Sequence, residues 1–426
     1  MTIKTEVNRH VDQLFRHESG KMVAVLTKVL GTANIDLAED VVQDAIVEAI
    51  NQWTYKGVPE NPTGWIYNVA KFKALNFIKR EKLGQKHSAE LAHFIRSESV
   101  MEPVADHFFS EEEIADDQLR MMFTCCHSSI STDSQIALTL KTLCGFSIPE
   151  IANAFLTNEE NINKRLVRAR QHIRESKLSF ELPFGTDFES RLNSVLETIF
   201  LLFNEGYNAS EGEDAIRLEL CEEAIRLTQL IADYPKIDQK NQVWALLSLM
   251  LLNTSRFKSR GNENDEIVEL ANQDRKLWDK GMIQKGIECL DKSIETNVIS
   301  KYQILAAISA HHCTAAAYED TDWESILSLY DNLMQIDDSP IILLNKAVAV
   351  SKVHGSAKAI TELEKLGNNP LLQKYPYYYT TLAELNMELG EYQAALQFFE
   401  KSIAISRNQK EIRYLNDKIK YCKSVI

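Results

Sequence analysis

Residues 146–176, FSIPEIANAFLTNEENINKRLVRARQHIRES, contain two helix starts ten residues apart. Ser147-Ile148-Pro149-Glu150 and Thr157-Asn158-Glu159-Glu160 each follow the hydroxyl-x-x-Glu form of a capping box. In that box the hydroxyl accepts from the backbone N–H three residues on and the glutamate reaches back. Pro149 falls in a first turn, where its missing N–H costs nothing. Two helices starting so close, with a short turn between them, form a helix-turn-helix. On a 3.6-residue wheel Ile162, Leu166, Ala169 and Ile173 share one face and should pack inward. Lys164, Val167, Arg168 and Gln171 lie opposite, with Asn161 and Asn163 on the shoulders. Arginine and lysine can pair with guanine edges in a major groove, and asparagine with adenine. Arg165, Arg170 and Arg174 flank that face and suit phosphates. An amphipathic, salt-bridged helix pair would give the same local pattern, so the segment needs support from the rest of the chain.

Upstream, residues 61–80 read NPTGWIYNVAKFKALNFIKR, with four bases and no acid. Asn61-Pro62-Thr63-Gly64 is a turn that launches a helix. Behind it, Trp65, Tyr67 and Phe72 stand among Lys71, Lys73, Lys79 and Arg80, with Asn68 and Asn76 between. Aromatic rings beside cations suit single-stranded DNA, because bases stack on the rings while the cations hold phosphates. The same Trp65, Ile66 and Val69 would serve equally well as core. Further upstream, residues 36–48, DLAEDVVQDAIVE, form an acidic amphipathic helix without a base. Val41, Ala45 and Glu48 follow one stripe, and Asp40, Gln43, Asp44 and Val47 a neighbouring one. Such a helix could brace the basic helix internally or dock on a basic partner.

The whole chain of 426 residues has only 15 glycines and 9 prolines, and helical periodicity runs almost throughout, so the fold class is all-α. Its net charge is −14, but 21 basic and 24 acidic residues through Lys177 leave that part at −3 and the remainder near −11. Nucleic-acid affinity needs a local basic face, and both such faces lie in the first part. No window approaches a membrane-spanning apolar run, and the polar start MTIKTEVNRHVDQLFRHESG argues against a secretory signal. Seven irregularly spaced cysteines suit reduced thiols, and a cytoplasmic location is expected.

Four regions follow. A first helical block spans 8–80. Residues 81–114 read as an acidic linker, since Glu98 to Asp117 holds eight acids and no base. A second compact block covers 115–177. After Leu182-Pro183-Phe184-Gly185, a helical region covers 185–426. Within the last, LAELNMELGEYQAALQFFEKSIAI (382–405) places Gly390, Glu391, Tyr392, Ala395 and Phe399 in tetratricopeptide positions. Related turns at Asp320–Trp323 and His354-Gly355 put Thr321, Gly355 and Gly390 34 and 35 residues apart, the period of that repeat. Stacked helix pairs of this kind make an α-solenoid with a concave partner surface. Residues 190–300 read as helix pairs of degenerate pattern.

These segments, in this order, resemble the sigma-70 superfamily, specifically its extracytoplasmic-function (ECF) sigma factors. The family's polymerase-docking helix reads like LAED-V-Q-(D/E)-A, as in Leu37–Ala45. Its promoter-melting and −10-reading segment reads like NP-x-x-W-(I/L)-Y-x-VA with basic residues after it, as in Asn61–Lys73. Its −35-reading helix ends R-(L/V)-x-RAR, as in Arg165–Arg170. The match covers about 8–176. The tracts 116–146 and 197–210 look like the subgroup whose sigma core is fused to a C-terminal tetratricopeptide-like region with a regulatory role. The resemblance implies a sigma region 2 helical bundle over 8–80, a sigma region 4 helix-turn-helix domain over 115–177, and a TPR-like α-solenoid over 185–426. It implies core RNA polymerase as partner through Leu37, Glu39, Asp40, Gln43, Asp44 and Val47. Melted −10 DNA falls to Trp65, Asn68, Lys71, Phe72, Lys73, Asn76, Lys79 and Arg80. Duplex −35 DNA falls to Asn161, Asn163, Lys164, Arg165, Arg168, Arg170, Gln171 and Arg174. A regulatory protein on the repeat surface is a further expected partner, and a membrane is not. Many relatives carry Asn where this chain has Phe72, and Asp where it has Asn76, so the −10 preference is left open.

A helix-turn-helix operator-binding regulator with a repeat sensor is the alternative, but it would need neither the acidic helix nor the single-strand block. No Gly-rich phosphate loop, H-E-x-x-H, Cys-x-x-Cys or serine-elbow motif occurs, so no enzyme and no cofactor are expected. Cys125-Cys126-His127 reads as helix packing rather than a metal site, because adjacent cysteines on one helix cannot comfortably face one ion. His311-His312-Cys313, in an apolar helix, reads as packing too.

Overall fold

The computed structural model describes residues 3–84 and 111–426, apart from 156, 184, 209–210, 213–215, 236, 238–239, 262–265 and 295–298. Most of the expected linker therefore lies outside the described residues. The chain divides into two compact units, 1–198 and 199–426.

The first unit opens with α1 (Ile3–Leu30), α2 (Ile35–Lys56) and α3 (Pro62–Gly84). Helix α2 buries Val41 and Ala45 of the expected stripe, together with Val42, Ile46, Ala49 and Trp53, while Glu48, the third member of that stripe, is half-buried. It stops at Gly57, whose φ of 82° ordinary side chains rarely adopt. The Asn61 side chain then accepts from the Gly64 N–H (2.9 Å) and starts α3, as the Asn-Pro-x-Gly turn predicts. Trp65 packs edge-on against Trp53 at 5.5 Å, and the buried Tyr67 donates to Glu18 (2.9 Å). These two aromatics of the basic segment thus brace the bundle, while Phe72 is 60% exposed.

Four helices follow: α4 (Glu111–Cys125), α5 (Thr132–Thr142), α6 (Ile148–Ala154) and α7 (Glu159–Ser176). Helix α4 starts four residues before the expected boundary at 115, because Glu111, Glu112 and Glu113 favour a helix N-terminus, where the dipole stabilises acids. Cys125 and Cys126 are fully buried, and burial pushes the Cys126 thiol up to about 12. Both act as small apolar groups, and among the described residues no cluster of metal-ligating side chains occurs. Helix α8 (Thr186–Tyr207) closes the unit: Phe188 stacks on Phe123 at 5.0 Å, and Arg191 donates to the Phe123 carbonyl (3.2 Å).

The second unit continues from α8 through α9 (Leu218–Asp233), α10 (Asn241–Thr254), α11 (Lys280–Ser293), α12 (Lys301–Thr314), α13 (Trp323–Leu333), α14 (Pro340–His354), α15 (Ser356–Glu364), α16 (Pro376–Glu388), α17 (Tyr392–Ile405) and α18 (Gln409–Val425). Each helix packs chiefly on its neighbours in sequence, the mark of a solenoid. Gly355 and Gly390 turn the chain with φ of 87° and 79°. Ala395 and Phe399 are buried with Ala383 and Leu415. A two-residue parallel pairing, Glu211–Gly212 with Arg407–Asn408, ties the start of this unit to its last helix. His312 is half-buried edge-on against Trp323 (5.2 Å), and desolvation, with Arg256 and Arg275 nearby, lowers its pKa to about 3. No described helix is long and apolar enough to cross a membrane.

Candidate nucleic-acid interface

Helices α6 and α7 form the helix-turn-helix. The first capping box closes as its sequence predicts: Ser147 N–H donates to Glu150 (2.8 Å), and the Glu150 N–H to Ser147 Oγ (3.4 Å). The second closes differently. Asn158, not Thr157, caps α7 by accepting from the Asn161 N–H (2.9 Å), and Thr157 Oγ1 accepts from the Asn161 side-chain amide (3.2 Å). Asparagine reaches the third N–H of the helix as well as a hydroxyl does, and it stands one residue nearer.

Ile162, Leu166, Ala169 and Ile173 are buried to 2% exposure or less. The opposite face, Asn161, Asn163, Lys164, Val167, Arg168 and Gln171, is exposed. Lys164 pairs with Glu160 one turn back (2.7 Å) and Gln171 with Glu175 (2.9 Å). Such exposed contacts are worth under about 1 kcal/mol and yield readily to a stronger partner. Arg168 makes no ion pair among the described residues. The face can therefore offer a guanidinium, an ammonium and several amides to base edges.

The three flanking arginines are engaged. Arg165 pairs with Asp133 (2.8 Å) and lies over Phe155 (5.0 Å). Arg170 binds Asp36 (3.1 Å) and Glu39, both on α2, and Arg174 binds Asp36. Carboxylates thus stand where phosphates were expected. Thr142 also donates to Glu39 (2.6 Å). Burial raises the Glu39 pKa, against the opposing pull of Arg170 and the Thr142 hydrogen bond.

On α2, Asp40, Gln43, Asp44 and Val47 form one exposed stripe at i, i+3, i+4 and i+7, and Val47 is 55% exposed. Leu37 is half-buried, and Glu39 faces α7 instead of solvent. On α3, Asn68, Phe72 and Asn76 are exposed one turn apart. Lys71 is half-buried, and Lys73 reaches Glu48 (3.3 Å) and Asp44 (3.9 Å) on α2. The acidic helix is therefore both an internal brace, through Lys73, and an open face, through the stripe. Lys79 and Arg80 lie on α3, but their side chains lie outside the described atoms. Asp36 is the residue that sequence reasoning passed over. It stands 138 positions from Arg174, and nothing in local spacing joins them.

Residues 14–83 match the family model described as Sigma-70 region 2, and residues 120–173 match Sigma-70, region 4. Residues 191–294 match a family of unknown function (DUF6596). An uncharacterized protein of Rhizobium meliloti (strain 1021), R00370, is 34% identical over 391 residues, which cover 90% of this chain and 89% of that protein. No solved structure matches the chain.

Proposed function

Because the chain belongs to the sigma-70 family, with regions 2 and 4 both in place, we propose that it acts as an ECF-type sigma factor carrying its own regulatory extension. Promoter-specific initiation with core RNA polymerase is the family's function. In the proposed assignment the α2 stripe Asp40, Gln43, Asp44 and Val47 docks on a basic surface of the polymerase. Phe72, Asn68 and Asn76 meet unpaired −10 bases, and Lys164, Arg168, Asn161, Asn163 and Gln171 read the −35 groove. Leu37, Trp65, Lys71 and Lys73 support those faces. Arg165, Arg170 and Arg174 take phosphates once freed of their carboxylates. The second unit acts as a TPR-like platform for a regulatory protein in the cytoplasm.

The observation that carries this reading is the exposure of two unlike faces in one chain: an acidic stripe on α2 and a cationic, amide-rich one on α7. An operator-binding regulator needs only the second. The test is transcription in vitro by core polymerase on fragments of the genome that encodes the chain, with sequencing of RNA 5′ ends. The expected result is a set of starts that share −10 and −35 elements and depend on the added chain. Starts indistinguishable from those of core polymerase alone would reject the proposal.

A further inference from the structure

We propose that Arg256, Arg260 and Arg275 of the second unit, gathered round the rings of Tyr207 and Trp278, form a binding site for a phosphate group. Every residue of this site belongs to the second unit, so it does not depend on the sigma-factor reading. Tyr207 ends α8, Arg256 and Arg260 flank a single turn just beyond α10, and Arg275 and Trp278 precede α11. The two rings bring the three cations together. Arg256 donates to the Tyr207 hydroxyl (2.5 Å), and the Arg260 guanidinium lies over the same ring at 3.9 Å. Arg256 and Arg275 both lie over Trp278, at 5.8 and 4.5 Å.

The acceptors these guanidiniums hold are neutral. Arg256 also donates to the Asn253 side-chain carbonyl (2.9 Å), and Arg260 to the Tyr207 carbonyl and the Asn208 side chain (both 2.6 Å). Arg275 donates to the carbonyls of His312 and Ala315 (both 2.7 Å). Such acceptors fix the forks in place without cancelling their charge. Among the described residues none of the three arginines makes an ion pair. Glu205, two residues before Tyr207, is taken by Arg217 (3.6 Å). Glu319 and Asp320, both exposed, pull on Arg275 without reaching ion-pair distance. The C-terminal ends of α8 and α12 supply about half a negative charge each, which three guanidiniums exceed.

Donors are in surplus as well. Arg256 Nε, Arg275 Nη2, the Trp278 indole N–H and His312 Nδ1 are buried and find no hydrogen-bond partner among the described residues. Trp278 itself is only 4% exposed. Leaving buried donors unmatched is costly, most of all on charged groups. The excess of positive field shows at Tyr207: burial raises its hydroxyl, yet Arg256 and Arg260 hold it below its ordinary value. A phosphate fits this chemistry better than a carboxylate does. It is a compact dianion, and its several oxygens take forked guanidinium donors in pairs. All three arginines are half-buried, so solvent, and a small anion with it, reaches part of each.

The test is calorimetric titration of the full chain with sodium phosphate, against sodium chloride of equal ionic strength, with melting temperature followed in parallel. Saturable binding and a higher melting temperature in phosphate are expected. Arg256→Gln should weaken phosphate binding about tenfold or more, since it removes a forked, charge-assisted donor. Arg256→Lys keeps the charge without the fork and should bind with an affinity between those two. It also serves alone should circular dichroism show that Arg256→Gln does not fold. A nucleoside 5′-monophosphate, titrated in the same way, separates the two sources of such a group. Tighter binding than phosphate identifies a nucleotide, and weaker binding the inorganic ion. No saturable phosphate binding by the parent chain, or equal phosphate affinity in the parent and a folded Arg256 variant, would overturn the proposal.

Discussion

Asn158, Lys164 and Arg168 divide helix α7 between shape, set by the first, and the recognition proposed for the other two. Asn158 fixes where the helix starts, so Asn158→Ala should cost about 1 kcal/mol of stability, read as a lowered melting temperature. Lys164 and Arg168 lie on the exposed face and carry no fold energy beyond a surface pair. Alanine at both should cost about 1–3 kcal/mol of promoter affinity per residue and abolish −35-dependent transcription, with polymerase binding and melting temperature unchanged. Loss of polymerase binding as well would make the helix structural. Much at this scale was legible in the sequence. The inward face of α7 followed from its 3.6-residue spacing, because burial of Ile162, Leu166, Ala169 and Ile173 is a local demand. The choice of Asn158 over Thr157 was not legible, since adjacent residues both able to cap differ only in where the turn delivers them.

At the scale of the element, α2 serves two surfaces. Replacing Asp40 and Asp44 by lysine should weaken association with core polymerase by about tenfold or more, with the fold intact by circular dichroism. The helix was legible as acidic and amphipathic, but not its partners. Lys73–Glu48 and Asp36–Arg174 join segments far apart in sequence, and charge alone does not say which cation an acid will meet. Element α18 offers a pH test. Tyr377 and Ser406 donate to Glu411, and burial pushes that carboxyl from its ordinary 4.5 up to about 7. A carboxyl raised in the folded state takes up protons on folding. Its stabilising contribution is full below pH about 4.5 and is lost as pH rises through about 7. Glu411→Gln should therefore gain stability relative to the parent at about pH 8 and gain little at about pH 5, in thermal melts.

For the whole molecule, the two-part division falls inside α8, not in the Pro-Gly break near 183 where sequence reasoning started the last region. The reason is physical: Phe188 and Arg191 close over Phe123, so the first turns of α8 complete the first unit. A chain cut at 177 should expose Phe123 and aggregate, whereas one cut at 198 should stay monodisperse by size-exclusion chromatography. The short pairing of 211–212 with 407–408 had no sequence signal, because two residues carry no periodicity. The central claim, a chain that clamps core polymerase through a carboxylate-bearing helix, is tested most directly by mixing the purified full chain with core polymerase at low salt and measuring their co-elution. A stoichiometric complex that Asp40→Lys/Asp44→Lys abolishes is the predicted result. Separate elution of the parent chain would contradict the account.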